Sequence, residues 1–185
     1  MGLLSLLQRL RGSGRELKLL VLGLDNAGKT SVLTYLCKES LDEVMPTQGF
    51  NVKQVSSGSG ITLNAWDIGG QRAIRPYWRN YFDKSDALCY VVDSSDEVRL
   101  KESAEELEGL LEEEKLRGVP LLVLANKQDL LSALTSEEIE ESLNLKKASK
   151  HSRKMKVQGC STKTGEGIED GLRWLVKAAD KASKK

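Results

Sequence analysis

The chain has 185 residues, 39% of them hydrophobic, which suits one domain with a real core. A formal net charge of +1 argues against a dedicated nucleic-acid binder. No apolar run approaches the roughly 18 residues of a membrane-spanning helix. Cys37, Cys89 and Cys160 show no C-x-x-C spacing. Cys89 and Cys160 fall in apolar runs, which predicts buried thiols in a reducing compartment.

In chain order, Leu3, Leu6, Leu7 and Leu10 recur at helical spacing with Leu4 beside them. Ser5, Gln8, Arg9 and Arg11 fall elsewhere, which predicts an amphipathic helix of about three turns. So short a helix is marginal in water and must dock on something. Gly12-Ser13-Gly14 then reads as a hinge, dividing residues 1–14 from a main domain, 15–185. The first segment is too short and too charged at its end for a secretion signal.

Leu17 to Leu22 reads as a buried strand, and Ser31 to Leu36 as the first turns of a helix. Between them, Gly23-Leu24-Asp25-Asn26-Ala27-Gly28-Lys29-Thr30 matches G-x-x-x-x-G-K-[ST], a phosphate-binding loop. Glycines let successive N–H groups converge on phosphate oxygens, and the helix start adds its positive end. Lys29 supplies a point charge for the β- and γ-phosphates, and the Thr30 hydroxyl can ligate Mg²⁺. Residues Asp25 to Ser31 are therefore assigned to the nucleotide.

Pro46-Thr47-Gln48-Gly49-Phe50 follows, where Thr47 can add a second hydroxyl to the metal while a γ-phosphate is present. Val52 and Val55 belong to one strand of a hairpin, and Ile61, Leu63 and Ala65 to the other, around a loose turn at Ser56 to Gly60. The second strand ends in Trp66-Asp67-Ile68-Gly69-Gly70-Gln71. Asp67 would hold Mg²⁺ through a water. The Gly70 amide can approach the γ-phosphate because no Cβ intervenes. Gln71 stands where its amide could orient an attacking water.

Ala87 to Asp93 reads as a central strand, and Arg99 to Lys115 as a helix whose acidic outer face is best explained by solvation. The apolar run Pro120 to Ala125 leads into Asn126-Lys127-Gln128-Asp129. Asp129 can accept two hydrogen bonds from guanine, whereas adenine offers no such donor pair. The Lys127 stem can cover the base, and Asn126 can tie this loop to the phosphate loop. Thr135-Ser136-Glu137-Glu138 is a capping box for a helix through Leu143. His151 lies in a basic stretch and reads as solvated. Met155 to Cys160 is a last strand and Ile168 to Ala182 a last amphipathic helix. Such alternation predicts an α/β fold with a mostly parallel sheet and helices on both faces.

These motifs, with Ile74-Arg75-Pro76-Tyr77-Trp78, resemble the small GTPases, and within them the ADP-ribosylation-factor-like branch. The start Met1 to Leu7 and the Lys-rich end look most like subtype three, with subtype two next. The resemblance implies a phosphate-loop GTPase domain with six strands, one of them an antiparallel edge. GTP and GDP are the implied ligands and Mg²⁺ the cofactor. It carries a base contact to Thr162 through its backbone N–H, with Ser161 before it and the Lys163 stem near the base. Phe50, Trp66 and Tyr81 match an effector-binding aromatic trio, although a lone Phe or Trp is more often core. In such proteins the N-terminal helix docks with GDP and leaves with GTP, when the hairpin slides by two residues. A two-residue slide keeps each side chain on its own face.

The resemblance further implies a monomeric, slow GTPase served by an exchange factor and an activating protein. No Arg lies between Arg15 and Arg72, so an arginine finger would come in trans. Implied effectors are lipid-carrier proteins that release lipidated cargo, in the cytoplasm and toward the cilium, Golgi or cytoskeleton. Position six is Leu6 rather than Ser or Thr, so Gly2 is not expected to be myristoylated, and no prenylation box is present. At most weak membrane contact through the bare helix is expected. Two other classes use the same loop: a nucleotide kinase or ATPase, which would leave Asn126 and Asp129 idle, and a non-hydrolysing scaffold on microtubules.

Overall fold

Six β-strands order as β2-β3-β1-β4-β5-β6 in a computed structural model that describes residues 3–9, 15–42, 44–55, 61–145 and 153–182. They are β1 (Glu16–Leu22), β2 (Phe50–Val55), β3 (Thr62–Ile68), β4 (Ala87–Asp93), β5 (Leu121–Asn126) and β6 (Met155–Gly159). Only β2 runs antiparallel, against β3, as expected. The α-helices among the described residues are α1 (Leu3–Arg9), α2 (Lys29–Leu36), α3 (Leu100–Glu112), α4 (Ser136–Ser142) and α5 (Ile168–Ala182).

Period-two alternation along β1 sorts the core into two halves. Leu17, Leu19 and Val21 face one cluster with Val32 and Leu33 of α2 and Leu172 and Leu175 of α5. Leu20 and Leu22 face the other, with Leu107 and Leu110 of α3, Ile139 of α4, Trp78 and Phe82. Strands β4 and β5 are buried throughout, which is why they read as unbroken apolar runs. Cys89 and Cys160 are buried among them, as predicted. The chain passes from β1 to β2 and β3 on one side and to β4 on the other. This reversal at β1 opens a crevice at the strands' carboxyl ends, where the phosphate loop lies.

Thr135 caps α4 with both halves of the predicted box in place. The predicted helix from Arg99 to Lys115 is divided: a 3₁₀ turn (Glu97–Arg99) precedes α3 and another (Glu114–Leu116) follows it. Asp96 accepts from the Arg99 N–H and starts the first turn. Of the N-terminal helix, Leu3–Arg9 is described, with Leu3 and Leu7 buried in the α2/α5 cluster. Leu10, the hinge at 12–14, the hairpin turn at 56–60, His151, Gly2 and the last three residues lie outside the described residues. No helix among the described residues is long and apolar enough to cross a membrane.

Candidate functional site

The phosphate loop leaves β1 at Gly23 and enters α2 through Gly28, whose φ of 98° is left-handed. A Cβ at Gly28 would overlap the Asn126 amide nitrogen, so this glycine also admits the base-side loop. Lys29 is buried and its Nζ donates to the Leu24 carbonyl at 2.8 Å. Burial lowers its pKa to about 8, against the opposing pull of Asp67 and Asp25. An anionic phosphate beside Nζ would raise that value again. Nucleotide binding at pH 8 is therefore expected to take up about half a proton. Affinity is expected to be flat below pH 8 and to fall as pH rises above it. Calorimetry in two buffers of different ionisation enthalpy reads the uptake, which Lys29→Arg should abolish.

Thr30, Thr47 and Asp67, distant in sequence, converge. Asp67 Oδ2 accepts from Thr30 Oγ1 at 2.6 Å and from Thr47 Oγ1 at 2.9 Å, and the two hydroxyls are 2.8 Å apart. Asp67 Oδ1 is buried without a hydrogen-bond partner. One carboxylate and two hydroxyls are hard oxygen donors. Among the described residues there is no cluster of three or more His, Cys, Asp or Glu side chains. That combination fits Mg²⁺, which keeps waters and phosphate oxygens in its shell rather than a protein cage.

Gly70 packs so tightly on the loop that a Cβ would collide with the Gly23 carbonyl and Leu24. Gln71 is exposed. Both line a cleft of about 490 Å³ with Asp25, Lys29, Thr47 and Asn126. On its base side, Asn126 Nδ2 donates to the Ala27 carbonyl at 2.9 Å, the predicted tie between the two loops. Ser161 Oγ donates to Asp129 Oδ1 at 2.6 Å, which orients that carboxylate. Lys127 Nζ pairs with Asp93 Oδ2 at 2.6 Å. The Thr162 N–H donates to Asn126 Oδ1 at 3.1 Å, so a base oxygen would have to share or replace this acceptor. Lys163 is exposed.

Phe50 is 51% exposed, too open for a core residue. Its ring stacks on Trp66 with centroids 5.6 Å apart, and Tyr81 completes a triangle at 5.4 and 6.0 Å. Lys18, unremarked in the sequence, braces this trio. Its Nζ lies 5.1 Å from the Trp66 ring centroid and donates to the Tyr81 carbonyl at 2.5 Å. Nothing in a strand's apolar pattern marks such a lysine. The solvated reading of α3 also needs correction: Glu102 and Glu106 turn to the buried Arg75, because an unpaired guanidinium there would be costly.

A loop that matches the phosphate-binding pattern, a hydroxyl–carboxylate cluster and the Asn126–Asp129 loop, gathered at the carboxyl edge of this sheet, fit the class of guanine-nucleotide-binding proteins. The ADP-ribosylation factor family profile matches residues 3–179, and the chain belongs to that family. It is 54% identical over 177 residues to ADP-ribosylation factor-like protein 3 of Chlamydomonas reinhardtii, covering 96% of this chain and 98% of that one. The protein of the same name from Caenorhabditis elegans is 51% identical over all of both chains. ADP-ribosylation factor-like protein 2 of Arabidopsis thaliana is 49% identical over 95% of this chain and 94% of that one. This order agrees with the expected subtype three, then two. The Arl6 small GTPase of Trypanosoma brucei, bound to the nucleotide analogue GppNp, superposes with a TM-score of 0.82. It is 31% identical and covers 90% of this chain and 99% of that one. The chain is thus a GTP-binding switch that hydrolyses GTP to GDP and phosphate.

Proposed function

We propose that the GTP form of this switch binds lipid-carrier proteins and makes them release lipidated cargo during trafficking in the cytoplasm and toward the cilium. Residues Asp25 to Ser31 cradle the phosphates, Gly70 contacts the γ-phosphate and Gln71 orients water. Asn126, Lys127, Asp129, Ser161, Thr162 and Lys163 take the base. Thr30, Thr47 and, through a water, Asp67 hold Mg²⁺, which neutralises phosphate charge when bound. The observation that carries this reading is the adjacency of Trp66 and Asp67 on β3. Successive side chains of a strand face opposite ways, so Asp67 serves the nucleotide while Trp66 joins Phe50 and Tyr81 outside. Thr47 precedes Phe50 by three residues. A change at the γ-phosphate therefore reaches the aromatic surface through very few bonds.

Residues 1–14 are proposed as a separate, releasable segment. Leu3 and Leu7 are buried, worth about 2 to 3 kcal/mol each, and the Leu7 carbonyl accepts from Ile61 N–H at 3.1 Å. A two-residue slide of the hairpin would move Ile61 by about 7 Å and break that bond. Hydrolysis is slow until an activating protein arrives, and an exchange factor reloads GTP. Fluorescence anisotropy of a labelled lipidated peptide on a lipid-carrier protein tests the proposal. Peptide release with a GTP analogue and not with GDP is expected. Release in neither state would remove the cargo function and leave the switch. Identical carrier binding in both states would favour a nucleotide-dependent scaffold.

A further inference from the structure

Arg75 begins a 3₁₀ segment (Arg75–Tyr81) and is buried. Its Nε donates to the Gly70 carbonyl at 2.7 Å. One terminal nitrogen donates to Glu102 Oε1 at 2.8 Å and to Glu106 Oε1 at 3.0 Å. The other lies 3.6 Å from Asp25 Oδ1 in the phosphate loop. Arg99 holds the same aspartate, at 3.2 Å from Oδ1, and is itself anchored on Asp96 Oδ2 at 2.6 Å. One guanidinium thus joins the Gly70 turn, the phosphate loop and α3. Only a planar fork of several donors can do this.

A glycine can be held only by its backbone. Trp78 Nε1 donates to the Gly69 carbonyl at 2.9 Å, and Arg75 takes the Gly70 carbonyl. Each peptide unit is planar and trans, so fixing the Gly69 carbonyl fixes the Gly70 N–H on the opposite side. Fixing the Gly70 carbonyl likewise sets the plane that leads into Gln71. Both donors come from the same 3₁₀ segment, and Glu102 and Glu106, one helical turn apart on α3, brace the charged one.

We infer that Arg75, braced by Glu102 and Glu106, is a positioning residue: by holding the Gly70 carbonyl while Trp78 holds the Gly69 carbonyl, it fixes the second of the two peptide planes that flank Gly70, keeps the Gly70 N–H aimed and so sets the preference for GTP over GDP. This rests on the reading of Gly70 as the γ-phosphate contact. Arg75→Lys keeps a cation but loses the fork. The double variant Glu102→Gln with Glu106→Gln keeps shape but removes the brace, and serves where the lysine variant fails to fold. Dissociation rates of fluorescent GDP and of a fluorescent non-hydrolysable GTP analogue are measured for the full chain, with thermal melting of the GDP form as a fold check. Loss of a charge-assisted hydrogen bond is expected to speed release of the GTP analogue by about tenfold, with GDP release within about twofold. Equal acceleration of both nucleotides, or of neither, overturns the inference. Gly70→Ala separates the two readings. If it retains the analogue as the unaltered chain does, the γ-phosphate role of Gly70 itself fails. If it loses the analogue but still holds GDP, so that the added Cβ has not simply disrupted the phosphate loop, while both Arg75-network variants keep the analogue, only the role of Arg75 fails.

Discussion

Asp129→Asn is expected to lower GTP affinity by about a thousandfold or more, because the site is built to hydrogen-bond one base edge. The carboxylate offers two acceptors to the guanine N1–H and 2-amino group. Asparagine offers one acceptor and one donor, and its NH₂ would meet the base NH₂ head-on, leaving both desolvated donors unpaired. Ser161 Oγ, 2.6 Å from Asp129 Oδ1, holds the side chain in place and limits its escape to another rotamer. Xanthine carries a carbonyl where guanine carries the amine, so the variant is expected to prefer xanthosine triphosphate. Displacement of labelled GDP by each triphosphate measures both effects. An asparagine variant that bound GTP as before would remove Asp129 from the base site.

Gln71→Leu is expected to leave GTP and GDP affinities within about twofold and to cut stimulated hydrolysis by at least about a hundredfold, the scale of losing one transition-state donor. Gln71 is exposed at the mouth of the cleft beside Gly70 and Thr47, so leucine there disturbs no core packing. Nearby arginines do not replace it. Arg75 and Arg99 are committed to carboxylates behind the phosphate loop, and Arg72 lines the groove between the 3₁₀ segment and α3. These commitments agree with a finger supplied in trans, worth on the order of 10³ to 10⁵ in rate. Single-turnover phosphate release with and without an activating protein is the measurement. Persistent stimulated turnover in the leucine variant would strip Gln71 of its role.

The strands, the hairpin, the phosphate loop and the capping box were legible because each rests on local rules, and the antiparallel edge came with the resemblance. Alternation or unbroken apolarity marks strands, glycine spacing marks the loop, and Thr135 with Glu138 marks a helix start. Even the tie from Asn126 to Ala27 followed from two motifs placed at one sheet edge. Local rules failed where a residue's meaning lies in a distant partner. Glu102 and Glu106 read as solvent-facing because their cation, Arg75, lies 27 and 31 residues away. Lys18 sits within a strand whose pattern says nothing of Trp66 or Tyr81 above it.

By itself the sequence determined the fold class, through residue type and spacing along the chain, and the family, through the motifs that carry the resemblance, and it singled out the loops and oxygens proposed for phosphate, base and metal. Only the tertiary structure decided that Thr30, Thr47 and Asp67 meet within 3 Å of one another, that Phe50 is surface rather than core, and that one guanidinium joins Gly70 to α3. Those are through-space relations between segments far apart in sequence. Sheet order, register and close packing set them, and no local pattern encodes a distance across the fold.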